Sequence, residues 1–160
     1  MTGSANSKIF FCDPGIAERK NLALESFEQD FLCVARHFFE TYENPDTQCW
    51  MQAFLVAEQQ FPPPFGATIA HAISLVVTAL KTRGNSFSYY RADDPLAEHA
   101  VTREEQYLLQ VLRHMRSGAL QQLQSAALLL CCGGDTEPLL AALERMCVIT
   151  GDIKELRFQP

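Results

Sequence analysis

The sequence predicts an all-α, single-domain bundle of about six helices. Apolar residues recur at steps of three and four through almost the whole chain, which is the period of a helix with one buried face. Proline and glycine clusters interrupt that pattern at helix-length intervals. No stretch alternates strongly enough to read as a buried strand. At 160 residues and 48% hydrophobic content the chain has the apolar material for one core, and a chain of this size buries about 68–70% of its unfolded surface.

Residues 1–18 read as an irregular N-terminal segment. Ile9-Phe10-Phe11-Cys12 is an apolar patch expected to dock on the core, closed by a turn at Asp13-Pro14-Gly15. The first helix is expected from about Lys20 to Tyr42. Leu24, Phe27, Phe31, Val34, Phe38 and Tyr42 carry its stripe, and Leu32, Ala35 and Phe39 widen it. A wide stripe marks a helix that touches several others.

Asn44-Pro45-Asp46-Thr47 is a turn that leads into a second helix, about Thr47 to Phe61. Trp50, Phe54, Ala57 and Phe61 form its expected inner stripe, extended by Met51 and Leu55. The run Pro62-Pro63-Pro64 stops it, because proline lacks the N–H and disfavours helix in the residue before it. A third helix follows, about Ala67 to Arg83, on Ile69, Ile73, Val76 and Leu80. Gly84 ends it, with Lys81 and Arg83 at the negative end of its dipole.

The segment 84–101 breaks the helical pattern. Beyond it, Thr102-Arg103-Glu104-Glu105 is a capping box, with Glu three positions after Thr. The fourth helix runs to about Ser117 on Leu108, Val111, Leu112 and Met115. The fifth spans about Ala119 to Cys131 on Leu120, Leu123, Ala127 and Leu130. In the sixth, Asp135 or Thr136 is the cap, Pro138 sits in the first turn where its missing N–H costs little, and Gly151 is the expected end. The chain thus divides into helices one to three over 20–83, a polar loop over 84–101, helices four to six over 102–150, and a tail over 151–160. The two halves read as unrelated at the residue level. Phe87 to Tyr90 alternates weakly, and an isolated strand there could pair only with a partner chain.

The net charge of -6 argues against binding phosphate backbones, which takes clustered Lys and Arg. Arg103, Arg113 and Arg116 are the basic candidates, with Glu104 and Glu105 among them. The N-terminus does not read as a signal peptide, and no apolar run is long enough to cross a bilayer. The six cysteines are dispersed over predicted helices without a Cys-x-x-Cys pair, which suits a reducing compartment. These features point to a cytoplasmic protein.

Candidate chemistry gathers in the 84–101 loop, since long loops in compact domains are often functional. Tyr89, Tyr90 and Arg91 combine residue types enriched at binding hot spots, and they are the favoured partner- or ligand-binding set. Asp93, Asp94, Glu98 and His99 supply carboxylates and an imidazole that suit a divalent metal; the plainer reading is that Asp94-Pro95 caps a short helix. Cys33 and His37, with Asp30 and Glu40 nearby, lie on one helix face. They could form a dyad or ligand set, although a core-edge thiol beside a surface imidazole is the simpler reading. Glu58 and His71 flank the proline turn. Adjacent Cys131 and Cys132 are expected to divide, one in the core and one at the surface.

No phosphate loop, nucleophile elbow or zinc-protease motif occurs. The aromatic surplus of Phe 11, Tyr 4 and Trp 1 suggests an interface. The reading favoured by the sequence is a non-catalytic interaction or regulatory module, with no cofactor, that forms a homodimer or grips another protein. A small metal-binding protein or enzyme using the loop cluster is one alternative. A helical sensor for a small apolar ligand is the other.

Overall fold

The computed structural model of the chain describes residues 17–18, 24–82 and 87–157, with side chains over 24–82 and 87–151. The elements run β1 (Ala17–Glu18), α1 (Ser26–Glu43), α2 (Cys49–Gln60), α3 (Gly66–Lys81), β2 (Ala100–Val101), α4 (Arg103–Ser117), α5 (Leu120–Leu130) and α6 (Glu137–Arg157). Short 3-10 turns occupy Pro45–Thr47 and Pro95–Glu98. The expected all-α bundle is what the chain forms. The expected patch at Ile9–Cys12, the turn at 13–15, the start of the first helix at Lys20 and the stop at Gly84 lie outside the described residues.

Helix α1 is central, as its wide stripe predicts. Phe31, Leu32, Val34, Ala35, Phe38 and Phe39 are all buried, and the helix packs on both α2 and α3. Helix α3 buries Ile69, Ala70, Ala72, Ile73, Val76 and Val77, and packs on α1, α2 and α6. In the other half α4 packs on α5 and α6. One continuous core joins all six helices.

The turn between α2 and α3 rests on one glycine. A Cβ on Gly66 would stand 2.6 Å from the Glu58 Cα and 2.9 Å from the Ala57 carbonyl oxygen. Those neighbours are backbone atoms of α2, so only glycine allows the two helices this close approach.

Several expectations are corrected. Helix α2 turns its small residues inward: Ala53, Ala57 and the capping Phe61 are buried, while Trp50, Met51 and Leu55 stand 48%, 45% and 48% exposed. Of the stripe expected to face the core, Ala57 and Phe61 do so and Phe54 packs against it half-buried, whereas Trp50, Met51 and Leu55 face out. Gly151 does not end the sixth helix, which continues to Arg157. One glycine in a helix costs about 1 kcal/mol, and the helical pattern on both sides outweighs it. The 84–101 loop contains a 3-10 turn and β2. That strand pairs antiparallel with β1, Ala17 opposite Val101 and Glu18 opposite Ala100. Phe87 to Tyr90, whose weak alternation allows an isolated strand, forms none.

The largest correction concerns the two halves. Helices α1 and α4 carry the same local sequence: EQDFLCVARH over 28–37 and EQYLLQVLRH over 105–114, with six of ten positions identical. The packing follows the repeat, because α1 with α2 and α3 mirrors α4 with α5 and α6, and α3 packs on α6. Burial follows it too. Ala53, Ala57 and Phe61 correspond in order to Leu123, Ala127 and Cys131. Ile69, Ala72, Ile73 and Val76 correspond to Leu139, Ala142, Leu143 and Met146. All of these are buried. The molecule is two three-helix units that share one core.

Candidate functional site

The polar centre of the molecule lies where α1, α4 and the 84–101 segment meet. It is built from the repeated residues. In each unit a glutamate in the first turn of the first helix is followed, at the same spacing, by an arginine: Glu28 and Arg36 in α1, Glu105 and Arg113 in α4. The pairs cross. Arg36 binds Glu105, and Arg113 binds Glu28. Such an exchange requires α1 and α4 to run antiparallel beside each other. The outer pair Arg116–Glu25, 3.1 Å apart, keeps the same register.

Both glutamates also act as helix caps. Glu28 Oε1 accepts from the Glu25 amide at 3.1 Å. Glu105 Oε2 accepts from the Thr102 amide at 2.9 Å, while the Thr102 hydroxyl accepts from the Glu105 amide. The capping box expected at Thr102–Glu105 is therefore formed. Each carboxylate serves one helix end and one cross-helix arginine at once.

The Arg36–Glu105 pair is wholly interior, with side chains 2% and 0% exposed. Arg36 Nε and Nη2 donate to the two carboxylate oxygens at 2.8 Å each. Nη1 donates to the Ala97 carbonyl at 2.6 Å and Nη2 to the Ala100 carbonyl at 2.9 Å. Glu105 Oε1 also accepts from the Tyr90 amide. A buried ion pair is tolerable only when its remaining donors and acceptors are met, and here they are. The Tyr90 ring lies under the guanidinium, 5.7 Å from centroid to Cζ. The arginine thus holds the 84–101 segment against the bundle through backbone carbonyls, which any sequence there would supply.

A second set lies along α1. Tyr89 Oη donates to Glu40 Oε2 at 2.7 Å, and Asn44 Nδ2 donates to Glu40 Oε1. Arg91 Nε lies 3.8 Å from Glu40, and Arg91 Nη2 lies 3.2 Å from Asp93. Burial, followed by the hydrogen bond to Glu40, pushes the Tyr89 hydroxyl well above its usual range. Burial does the same to Tyr90, helped by the Glu105 and Asp94 carboxylates and opposed by Arg36. Both phenols stay protonated at any physiological pH.

These positions correct the expected binding set. Tyr89 and Tyr90 are 0% and 2% exposed. The Phe39 ring stacks on Phe87 and Tyr89 at 4.4 and 5.4 Å. Neither tyrosine presents itself to a partner, and only Arg91 is partly open. The loop's aromatic residues fill the core because Phe39 and Arg36 provide faces for them.

The expected metal set is not assembled. Asp94 is buried and its carboxylate accepts from the Leu96 amide at 2.8 Å, capping the Pro95–Glu98 turn. Asp93, Glu98 and His99 are exposed. Among the described residues no group of three or more His, Cys, Asp and Glu is placed to hold a metal ion, which also covers Asp30, Cys33, His37 and Glu40. Burial lowers the affinity of His37 for a proton, with Asp93 and then Glu40 opposing it. Glu58 and His71 are both exposed, on helices that pack together. Cys131 is buried and Cys132 exposed, as expected.

Arg36 went unrecognised in the sequence, although its signal was present: a charged residue between Ala35 and Phe38 in an otherwise apolar stripe. Arg113 and Arg116, read as basic-patch candidates, are engaged by Glu28 and Glu25.

Two solvent-facing features of the described residues bear on function. A groove of about 440 Å³ runs between α4 and α5, lined by Gln110, His114, Gln121, Gln122, Ser125, Ala126 and Leu129. Five of its seven lining residues carry an amide, hydroxyl or imidazole group, with apolar atoms making up the larger part of the exposed wall. The other is the outer face of α2. Trp50, Met51 and Leu55 lie on it, with Phe54 half-buried between them and Tyr42 44% exposed at the end of α1. Trp50 meets Phe54 edge-on at 6.5 Å, and Phe54 meets Phe38 at 5.9 Å, so the face is anchored to the core.

Among the described residues no helix is long and apolar enough to cross a membrane. The fold and polar centre define an all-α bundle of two crossed three-helix units. No family model, curated protein or solved structure matches the chain.

Proposed function

We propose that this protein is a non-catalytic interaction module, acting in the cytoplasm, whose function is to associate through its surface. The outer face of α2 carries the reading. Tryptophan and tyrosine are among the leading residue types at binding hot spots; here Trp50 stands nearly half exposed on the same helix as Met51 and Leu55, and Tyr42 nearly half exposed at the end of α1. A contiguous exposed apolar patch on a chain that already has a complete core marks a contact surface.

The charged residues nearest a catalytic arrangement support the same reading. Arg36, Glu105, Glu40 and Tyr89 are enclosed and bonded to one another or to backbone. General acid–base work needs a group that can reach a substrate proton, and these groups spend their bonds inside the fold.

The test is native mass spectrometry on tag-free protein at several concentrations. A bare oligomer is the expected result, unchanged by a chelator. A stoichiometric bound metal or organic mass would overturn the reading in favour of a metal protein or a ligand sensor.

A further inference from the structure

We propose that the outer face of α2, centred on Trp50, Met51 and Leu55, is the docking surface for a second copy of this chain. The proposal rests on the interaction reading above and names its surface and its partner.

The internal repeat supplies a control within the molecule. The step that matches the buried Ala53, Ala57 and Phe61 of α2 to Leu123, Ala127 and Cys131 of α5 also matches the outer residues. It sets Met51 against Gln121, Phe54 against Gln124 and Leu55 against Ser125. The second unit folds on the same plan with two amides and a hydroxyl at these positions. The plan therefore does not need apolar residues there. Trp50 matches Leu120, which is 70% exposed, so this corner faces solvent in both units, and only in the first is it backed by an apolar stripe. Helix α5 has exposed leucines of its own at Leu128 and Leu129, but they stand at the far end of the helix and include no aromatic anchor.

The scarcity of charge on this face allows a second copy to dock there. Each chain carries a net charge of -6, so two copies repel unless they meet where charge is sparse. Helix α2 has Glu58 as its one charged residue. An antiparallel two-fold pairing places Trp50 of one copy against Leu55 of the partner subunit, and keeps the two Glu58 carboxylates at opposite ends.

The area is sufficient. With nearly half of Tyr42, Trp50, Met51 and Leu55 open, the face offers roughly 400 Å² of side-chain surface, given about 150–250 Å² for a fully buried aromatic. Homodimer interfaces are about 65% apolar, so a polar rim brings each copy to roughly 600 Å². Two copies then bury about 1,200 Å², the lower end for specific complexes.

The experiment is sedimentation equilibrium of the full chain over a wide concentration range, read together with the emission of Trp50, the single tryptophan. The wild type is expected to form a dimer, with emission shifting to the blue as it associates. The variant M51Q/L55S, which carries the second unit's residues, is expected to keep its helical circular dichroism and melting temperature. Its dissociation constant should rise at least about a hundredfold, because a two-fold interface counts each change twice. L55E is the second variant, read the same way should M51Q/L55S not fold. A wild type that stays monomeric throughout overturns the second copy as partner. A dimer that persists in both variants overturns the α2 surface while the self-association reading stands.

Discussion

At the residue scale Arg36 is the position on which most else depends. Four of its donated hydrogen bonds reach three separate groups, Glu105 and the carbonyls of Ala97 and Ala100. R36M leaves the Glu105 carboxylate buried without its charge partner, and breaking a buried pair costs about 3–5 kcal/mol. The melting temperature is expected to fall by about 10 °C, at about 2–4 °C per kcal/mol for a chain of this size. R36K is expected to rescue little, since one ammonium cannot span the three groups that the planar guanidinium reaches. By contrast E25Q, which touches a 64% exposed side chain, is expected to change urea-unfolding stability by less than about 0.5 kcal/mol. His37 adds a pH dependence. Burial holds its folded pKa below its ordinary value, so the unfolded chain binds the proton first as pH falls. Stability is therefore complete above about pH 6.5, the unperturbed imidazole value, and declines below it toward the folded pKa. H37Q should flatten that decline in urea titrations at stepped pH, and an unaltered slope would assign it to other groups.

At the element scale the capping box of α4 was legible because it is a local pattern: Thr102 and Glu105 are three positions apart, and so are the amides they cap. What Glu105 does beyond the cap was not legible, because Arg36 lies far off in sequence. Helix α2 had an inner stripe legible only in part, at Ala57 and Phe61. Its apolar residues surround it almost completely, so periodicity alone could not say which side the alanines would take. Tertiary packing decided it: Ala53, Ala57 and Phe61 lie inward, and Gly66, lacking a Cβ, lets α3 approach the backbone of α2 at Ala57 and Glu58. G66A is expected to push the helices apart and cost about 1–3 kcal/mol, the usual penalty of overpacking. Thermal melting would show it as a drop of several degrees; an unchanged melting point would mean that the α2–α3 approach is looser than the 2.6 Å contact implies.

At the scale of the whole molecule the two units are held together by contacts that cross between them. Helix α3 packs on α6, and the arginine–glutamate pairs join α1 to α4. The buried apolar residues of both units form one continuous cluster. Urea unfolding is therefore expected to be a single transition, with far-UV circular dichroism, which reports all six helices, coinciding with the near-UV signal of the buried Tyr89 and Tyr90. Two separated transitions would show that the units fold independently.

Periodicity, proline and glycine placement and charge, all local or summed quantities, were enough to establish the all-α class, the six helices and the approximate ends of most of them. They also separated Cys131 in the core from Cys132 at the surface. The internal repeat was equally present in the sequence, in the matching runs at 28–37 and 105–114, but became evident through the crossed ion pairs. Tertiary structure alone decided three things. It buried Tyr89 and Tyr90, because the faces that receive them belong to a helix some fifty residues earlier. It spread Asp93, Asp94, Glu98 and His99 apart, because one caps a turn while the others face water. It turned Trp50, Met51 and Leu55 outward, because Ala53, Ala57 and Phe61 take the inner side of α2. The partners of Tyr89 and Tyr90 are distant along the chain, and a helical period records that a residue has an apolar side without recording what that side will meet.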